Sequence, residues 1–254
     1  MPKALGKING RMQVEEMEVD ENSLEKASKV EWDTPLSGMV YGTLLNYQGT
    51  LDQMGDTLHH PPYQSPPKAP ILYIKPRNTF IGHQAAIPLP DDVEELETGA
   101  CLGVVIGREA KWVEEERALD YVLGYTVVND ISVPHSSVFR PAVKDKSRDG
   151  FCPAGPWIME KGAVTNPDDL TIQVFVNGEK KQENNTSNLV RSVSRLLAEV
   201  SGFMTLDQGD TLLVGIPENP PHVKAGDHIR IHIEQVGTLE NVVRRESMSG
   251  RGSQ

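Results

Sequence analysis

The stretch Thr171–Gly178, TIQVFVNG, alternates apolar and polar side chains and then meets Asn177 and Gly178, a dipeptide suited to a two-residue hairpin turn. It reads as a strand that doubles back, and its surroundings share that character. Downstream, Thr211–Gly215, His228–Ile233 after a Gly226-Asp227 turn, and Leu239–Val243 read as strands. Upstream, Ile71–Lys75 (ILYIK) is closed by Pro76, Leu102–Ile106 (LGVVI) by Gly107, and Tyr125–Val128 (YTVV) runs into Asn129 and Asp130. One long helix interrupts them. Leu189, Val193, Leu196, Leu197, Val200 and Phe203 form a single stripe over 189–203, with Ser187 or Asn188 as the N-cap. A shorter helical patch with an acidic first turn covers Glu114–Val122 and stops at Gly124. Many strands, few helices and frequent Gly and Pro predict an α+β domain that is mostly β.

A chain of 254 residues suits one large domain that needs neither disulfide nor metal to hold it together. Residues 1–37 are polar and acidic, Trp32 excepted, and read as an N-terminal extension; 38–246 form the body, and 247–254 have the composition of a disordered tail. The two cysteines, Cys101 and Cys152, exclude a disulfide-dense scaffold and indicate a reducing cytoplasm. No apolar run has the length of a signal peptide, and none approaches the ~18 residues of a membrane span. A net charge of −11 argues against nucleic acid and anionic membranes as partners, because both rely on a positive field.

Against that acidic background, FRPAVKDKSRDGFCP (Phe139–Pro153) gathers Arg140, Lys144, Lys146 and Arg148 around only Asp145 and Asp149. Such a cluster can grip a carboxylate and stabilise charge developing on a neighbouring oxygen; the same composition also suits a solvated loop. Asp130, at a strand end, reads either as a functional acid or as a turn former. His59 and His60, before Pro61-Pro62, read as surface histidines or part of a lid, and His228 and His232 share one strand face without acidic or thiol partners. No HExxH, Walker loop, GxSxG elbow or paired CxxC is present.

As whole phrases, the body resembles the fumarylacetoacetate hydrolase family. The phrases that carry the resemblance occur in the family's order: GTLLNY (Gly42–Tyr47), KPRNTFIG (Lys75–Gly82), VVIG (Val104–Gly107), GYTVVND (Gly124–Asp130), KSRDGF (Lys146–Phe151), FVNG (Phe175–Gly178) and FMTLDQGD (Phe203–Asp210). KPRNT, FRP and KSRDGFCP resemble the isomerase/decarboxylase branch, whose members often carry two tandem copies of the domain. RDGFCP and the loop ending YQSPPKAP resemble the first copy. The resemblance implies a β-sandwich roll with few helices and a site in its mouth. It also implies isomerisation or decarboxylation of small 2-oxo or 2-hydroxy-dienoic dicarboxylates in aromatic-acid breakdown. Those reactions pass through an enolate, and in the family a divalent cation, Mg²⁺ or Mn²⁺, neutralises its oxygen. On this reading Asp130 and Lys146 are catalytic and Asp130 is a metal ligand. Lys146 holds the oxo-acid end, Arg140 or Lys75 the distal carboxylate, and Ser147 is a further substrate-binding residue. The implied assembly is a homodimer, or a heteromer with a paralogous subunit.

The match is incomplete. Anchored on VVIG, the family's other two ligands fall at Gly99 and Cys101, neither of which offers the oxygen that Mg²⁺ prefers. Glu95 and Glu97 stand two residues earlier, displaced by about 6.6 Å along a strand, and only a bulge or looping-out at Gly99 returns them to the site. The family's His-x-x-Glu pair is Thr50 and Gln53 here, its strand-end threonine is Ile216, and His59 or His60 is the candidate replacement proton shuttle. A second expectation follows from these losses: a subunit without metal chemistry, supporting an active paralogue.

Overall fold

The structure is a computed structural model that describes residues 1–11, 13–20, 23, 30–135 and 142–246. Its larger sheet contains β1 (Lys3–Ile8), β2 (Val14–Glu18), β3 (Trp32–Asp33), β4 (Val40–Leu44), β5 (Ile71–Lys75) and β6 (Phe80–Ile81). The smaller β7 (Ala86–Leu89) and β8 (Leu96–Glu97) lie outside it, and β9 (Ala100–Ile106), β10 (Val122–Asn129) and β11 (Cys152–Glu160) form its centre. The remaining strands are β12 (Thr171–Val176), β13 (Glu179–Asn185), β14 (Thr211–Leu213), β15 (His222–Val223), β16 (His228–Ile233) and β17 (Gly237–Arg245). The ten-stranded sheet runs β2-β1-β11-β10-β9-β14-β4-β5, with β3 on β1 and β6 on β11; a five-stranded sheet runs β13-β12-β16-β17-β7, and β15 pairs with β8.

Every residue of β9 is buried, as expected of a central strand covered on both faces, whereas β12 alternates buried and half-buried positions. The predicted hairpin joins β12 to β13, with Asn177 and Gly178 at φ 52° and 83°, the positive values a mirror-image turn requires. The two sheets share one core. Trp157 of β11 donates its indole N–H to Val236 O at 3.0 Å and meets Trp32 edge-on, with ring centroids 6.2 Å apart.

Two expectations are corrected. The segment 1–37 is not a separate appendage: β1 pairs with β11, and Ala4 and Trp32 belong to the core. The long helix begins later, as α3 (Val193–Ser201), after α1 (Gln48–Met54) and the single turn α2 (Val143–Lys146). Leu189 bridges Tyr47, Val190 N–H donates to Asn46 O, and Arg191 N–H to Asn46 Oδ1. That backbone is committed elsewhere, so Ser192 is the N-cap, its Oγ accepting from Arg195 N–H. The helical patch expected at 114–122 is present as a 3-10 helix, Glu115–Tyr121, with Glu115 and Glu116 in its first turn. The expected tail at 247–254 lies outside the described residues, and among those described no helix is long and apolar enough to cross a membrane.

Candidate active site

Asp130 leaves the end of β10, and the pairing around it is regular. From Val105 opposite Gly124 to Ala100 opposite Asn129 the β9–β10 register is unbroken; Asp130 N–H then donates to Gly99 O at 2.8 Å, and Glu97 bridges Ser132. Partners in a ladder share a face, so Gly99, Cys101 and Gly103 lie on the side of Asp130, Val128 and Thr126. The same face continues through Leu213 of β14 and Gly42 of β4 to Tyr73 of β5. The sheet coils enough for β5, at its far end, to present Tyr73 and Lys75 to Asp130. Two glycines make the approach possible. A Cβ on Gly42 would lie 2.1 Å from Tyr73 Cζ, and one on Gly99 would lie 2.3 Å from Asp130 O.

The resulting cluster is a carboxylate surrounded by donors. Asp130, 1% exposed, accepts from the Tyr73 hydroxyl and from Lys146 Nζ at 3.2 Å on Oδ2, while Lys75 Nζ stands 2.8 Å from Oδ1. Lys75 also donates to Ile131 O at 3.0 Å and Lys146 O at 2.6 Å, and its side chain has no exposure. Lys146, at the end of α2, holds its ammonium 4.9 Å from the centre of the Tyr73 ring. Burial alone pushes the Asp130 carboxyl up, but the charges of Lys146 and Lys75 and the hydrogen bonds from Lys75 and Tyr73 outweigh it and bring it down to about 2. Burial and the Asp130 charge push the Tyr73 phenol well up, so it remains a donor. Burial pulls the Lys75 ammonium down, against the attraction of Asp130. Two ammoniums face one carboxylate, which leaves the three-residue cluster of Lys75, Lys146 and Asp130 one positive charge.

Three of the anticipated residues, Asp130, Lys146 and Lys75, are thus brought together, although Lys75 has its donors on protein oxygens and sits behind the carboxylate. Ser147 is not with them. It lines a surface cleft with Asp92, Lys144 and Arg148, where Arg148 is forked onto Asp92 at 2.5 and 3.0 Å. Arg140 lies outside the described residues. Thr50 and Gln53 are on α1, and His59 and His60 are exposed beyond it. Ile216 covers Gly99, within 2.8 Å of where a Cβ there would stand. Sequence reading missed Tyr73, although its two-residue spacing from Lys75 in ILYIK signals a shared face. Glu97, weighed in the sequence as a displaced ligand, is a part-buried carboxyl pushed up by burial against the charges of Lys146, His135 and His222.

The residues present do not fit the divalent cation that the resemblance implies. Gly99 offers no side-chain donor and no room for one, and burial pushes the Cys101 thiol far up, which keeps it protonated. The unbroken register rules out the bulge that would return Glu95 and Glu97. Glu97 remains opposite Ser132, and Glu95 pairs with His222 Nδ1 at 2.8 Å. Among the described residues no group of three His, Cys, Asp or Glu side chains is placed to hold a metal.

Comparison with known proteins agrees with this architecture. The family model described as fumarylacetoacetate (FAA) hydrolase C-terminal matches residues 39–244. The 4-hydroxyphenylacetate degradation bifunctional isomerase/decarboxylase of Escherichia coli is 39% identical over 208 residues, which are 82% of this chain and 47% of that protein. The crystal structure of 2-hydroxyhepta-2,4-diene-1,7-dioate isomerase from Mycobacterium marinum superposes with a TM-score of 0.79 at 28% identity, covering 96% of this chain and 99% of that one. Maleylpyruvate hydrolase from Sphingobium sp. SYK-6, solved with manganese(II) and pyruvate, shares the fold at 24% identity and TM-score 0.77, covering 96% of this chain and 100% of that one. The chain belongs to the fumarylacetoacetate hydrolase family. It spans about half the length of the curated relatives it matches.

Proposed function

We propose that the chain is an isomerase/decarboxylase of small 2-oxo or 2-hydroxy-dienoic dicarboxylates formed in aromatic-acid breakdown. The observation that carries this reading is the Lys146 ammonium. Among the described residues it hydrogen-bonds only to Asp130, leaving donors for a ligand, in a cluster with one surplus positive charge. Isomerisation of a 2-hydroxy-2,4-diene and decarboxylation to one both place negative charge on the C2 oxygen. A fixed ammonium beside that oxygen stabilises the charge without reorganising at the moment of reaction. Asp130, ionised and held by two hydrogen bonds and the Lys75 ion pair, is a poor proton acceptor; its part is to orient Lys146. The Tyr73 hydroxyl fixes Asp130 in turn. The relatives' names support the substrate class. The two Escherichia coli relatives are about twice the length this chain matches, which supports assembly with a second domain of this type, its own copy or a paralogue.

The test is turnover of 2-hydroxyhepta-2,4-diene-1,7-dioate by the purified chain, followed as loss of dienol absorbance. Wild type is expected to convert it. Lys146→Met is expected to lower kcat/KM by about 100-fold or more with an unchanged circular-dichroism spectrum. A folded wild-type chain inert toward this and other 2-oxo diacids would overturn the reading.

A further inference from the structure

Lys75 differs from its neighbour in a way the proposed reaction does not use. Its ammonium is enclosed, and three oxygens converge on it: Asp130 Oδ1 at 2.8 Å, Ile131 O at 3.0 Å and Lys146 O at 2.6 Å. Two carbonyls accept its hydrogen bonds and one carboxylate is in ion-pair contact with it, so the ammonium is surrounded by oxygen. They come from the exit of β10 and the end of α2, so Lys75 ties the strand carrying Asp130 to the turn carrying Lys146. A resident cation would do the same.

We propose that the Lys75 ammonium is the built-in counter-cation of Asp130 and occupies the role of a divalent metal in this chain, leaving Lys146 as the charge that meets the ligand. A metal at Asp130 would have to expel a buried ammonium or lie beside it, a like-charge contact in a poorly screened site. On the other side, Oδ2 is already taken by Tyr73 and Lys146. The segment that follows, residues 136–141 (SSVFRP), carries no Asp or Glu to complete a ligand set. The ligand-facing part rests on the proposed function; the absence of a metal requirement does not.

The experiment is a titration of the full chain, stripped with EDTA, with Mn²⁺ alone, read by the electron-spin-resonance signal of the free aquo ion. The expected result is an undiminished signal at equimolar protein and a thermal midpoint indifferent to EDTA or added Mg²⁺. One Mn²⁺ held per chain overturns the proposal, whatever the turnover assay gives. A folded chain that holds no Mn²⁺ and turns nothing over removes the functional reading and leaves this one standing. A second measurement compares Lys75→Met with the double variant Lys75→Met/Asp130→Asn. The single change is expected to lower the thermal midpoint sharply or abolish folding by leaving a buried carboxylate unpaired, and the neutral pair to recover most of that loss. A Lys75→Met protein as stable as wild type overturns the assignment.

Discussion

The acid sensitivity of the site resides in single residues. The Asp130 carboxyl is held at about 2 against an ordinary 3.8, so its contribution is complete above pH 4 and is lost as pH falls toward 2. Tyr73→Phe removes one donor from that carboxylate. It is expected to cost about 1.5–3 kcal/mol, the range for hydrogen bonds to charged groups, and to move the acid limb upward; urea titrations across pH 2–5 measure both. Asp130 and Lys146 were singled out through the family phrases GYTVVND and KSRDGF, since a strand-end acid and a cationic cluster each also suit a turn or a solvated loop. Tyr73 was not. Its contact depends on how far the sheet coils, and nothing in ILYIK encodes that curvature. The same holds for Lys75, whose charge was visible but whose enclosure was not.

At the scale of elements, glycine shapes the site. Gly42 lies flat beneath the Tyr73 ring, so Gly42→Ala is expected to push Tyr73 off Asp130. It should lower both thermal midpoint and turnover, whereas Gly162→Ala, where a Cβ meets nothing within 4 Å, should change neither. A second element-level constraint is His83, whose Nδ1 accepts from Glu240 N–H at 3.1 Å and ties the turn after β6 to β17. Burial lowers this imidazole from 6.5 to about 4, so the neutral form belongs to the fold. Its contribution, roughly 3 kcal/mol, is present above pH 6.5 and lost as pH falls toward 4. His83→Asn keeps an acceptor without a proton to gain, and chemical denaturation between pH 7 and 4 is expected to show a flatter profile. The hairpin at Asn177-Gly178 was readable because its turn needs particular residues. Strand β11 was not, because Pro153 and Pro156 disguise it and its pairing with β10 shifts register between Tyr125 and Val127. The late start of α3 was hidden for another reason: Asn46, nearly 150 positions away, claims the backbone of Val190 and Arg191.

For the whole molecule, composition and strand count gave the fold class, and the ordered phrases gave the family. Neither placed the first 37 residues, whose polar, acidic character hides a strand that extends the main sheet beside β11. The charge pattern is also a property of the whole: a chain of net charge −11 keeps two ammoniums on one buried carboxylate. On the proposed function, an anionic substrate completes that asymmetry. The direct measurement is calorimetric binding of a non-reacting saturated 2-oxo diacid, 2-oxoheptanedioate, to wild type and to Lys146→Met, both verified as folded. Saturable binding to wild type, weakened at least about tenfold by loss of that one ammonium, is the predicted result. Equal affinity in the two proteins would contradict the account, because the ligand would then be held somewhere other than beside Asp130.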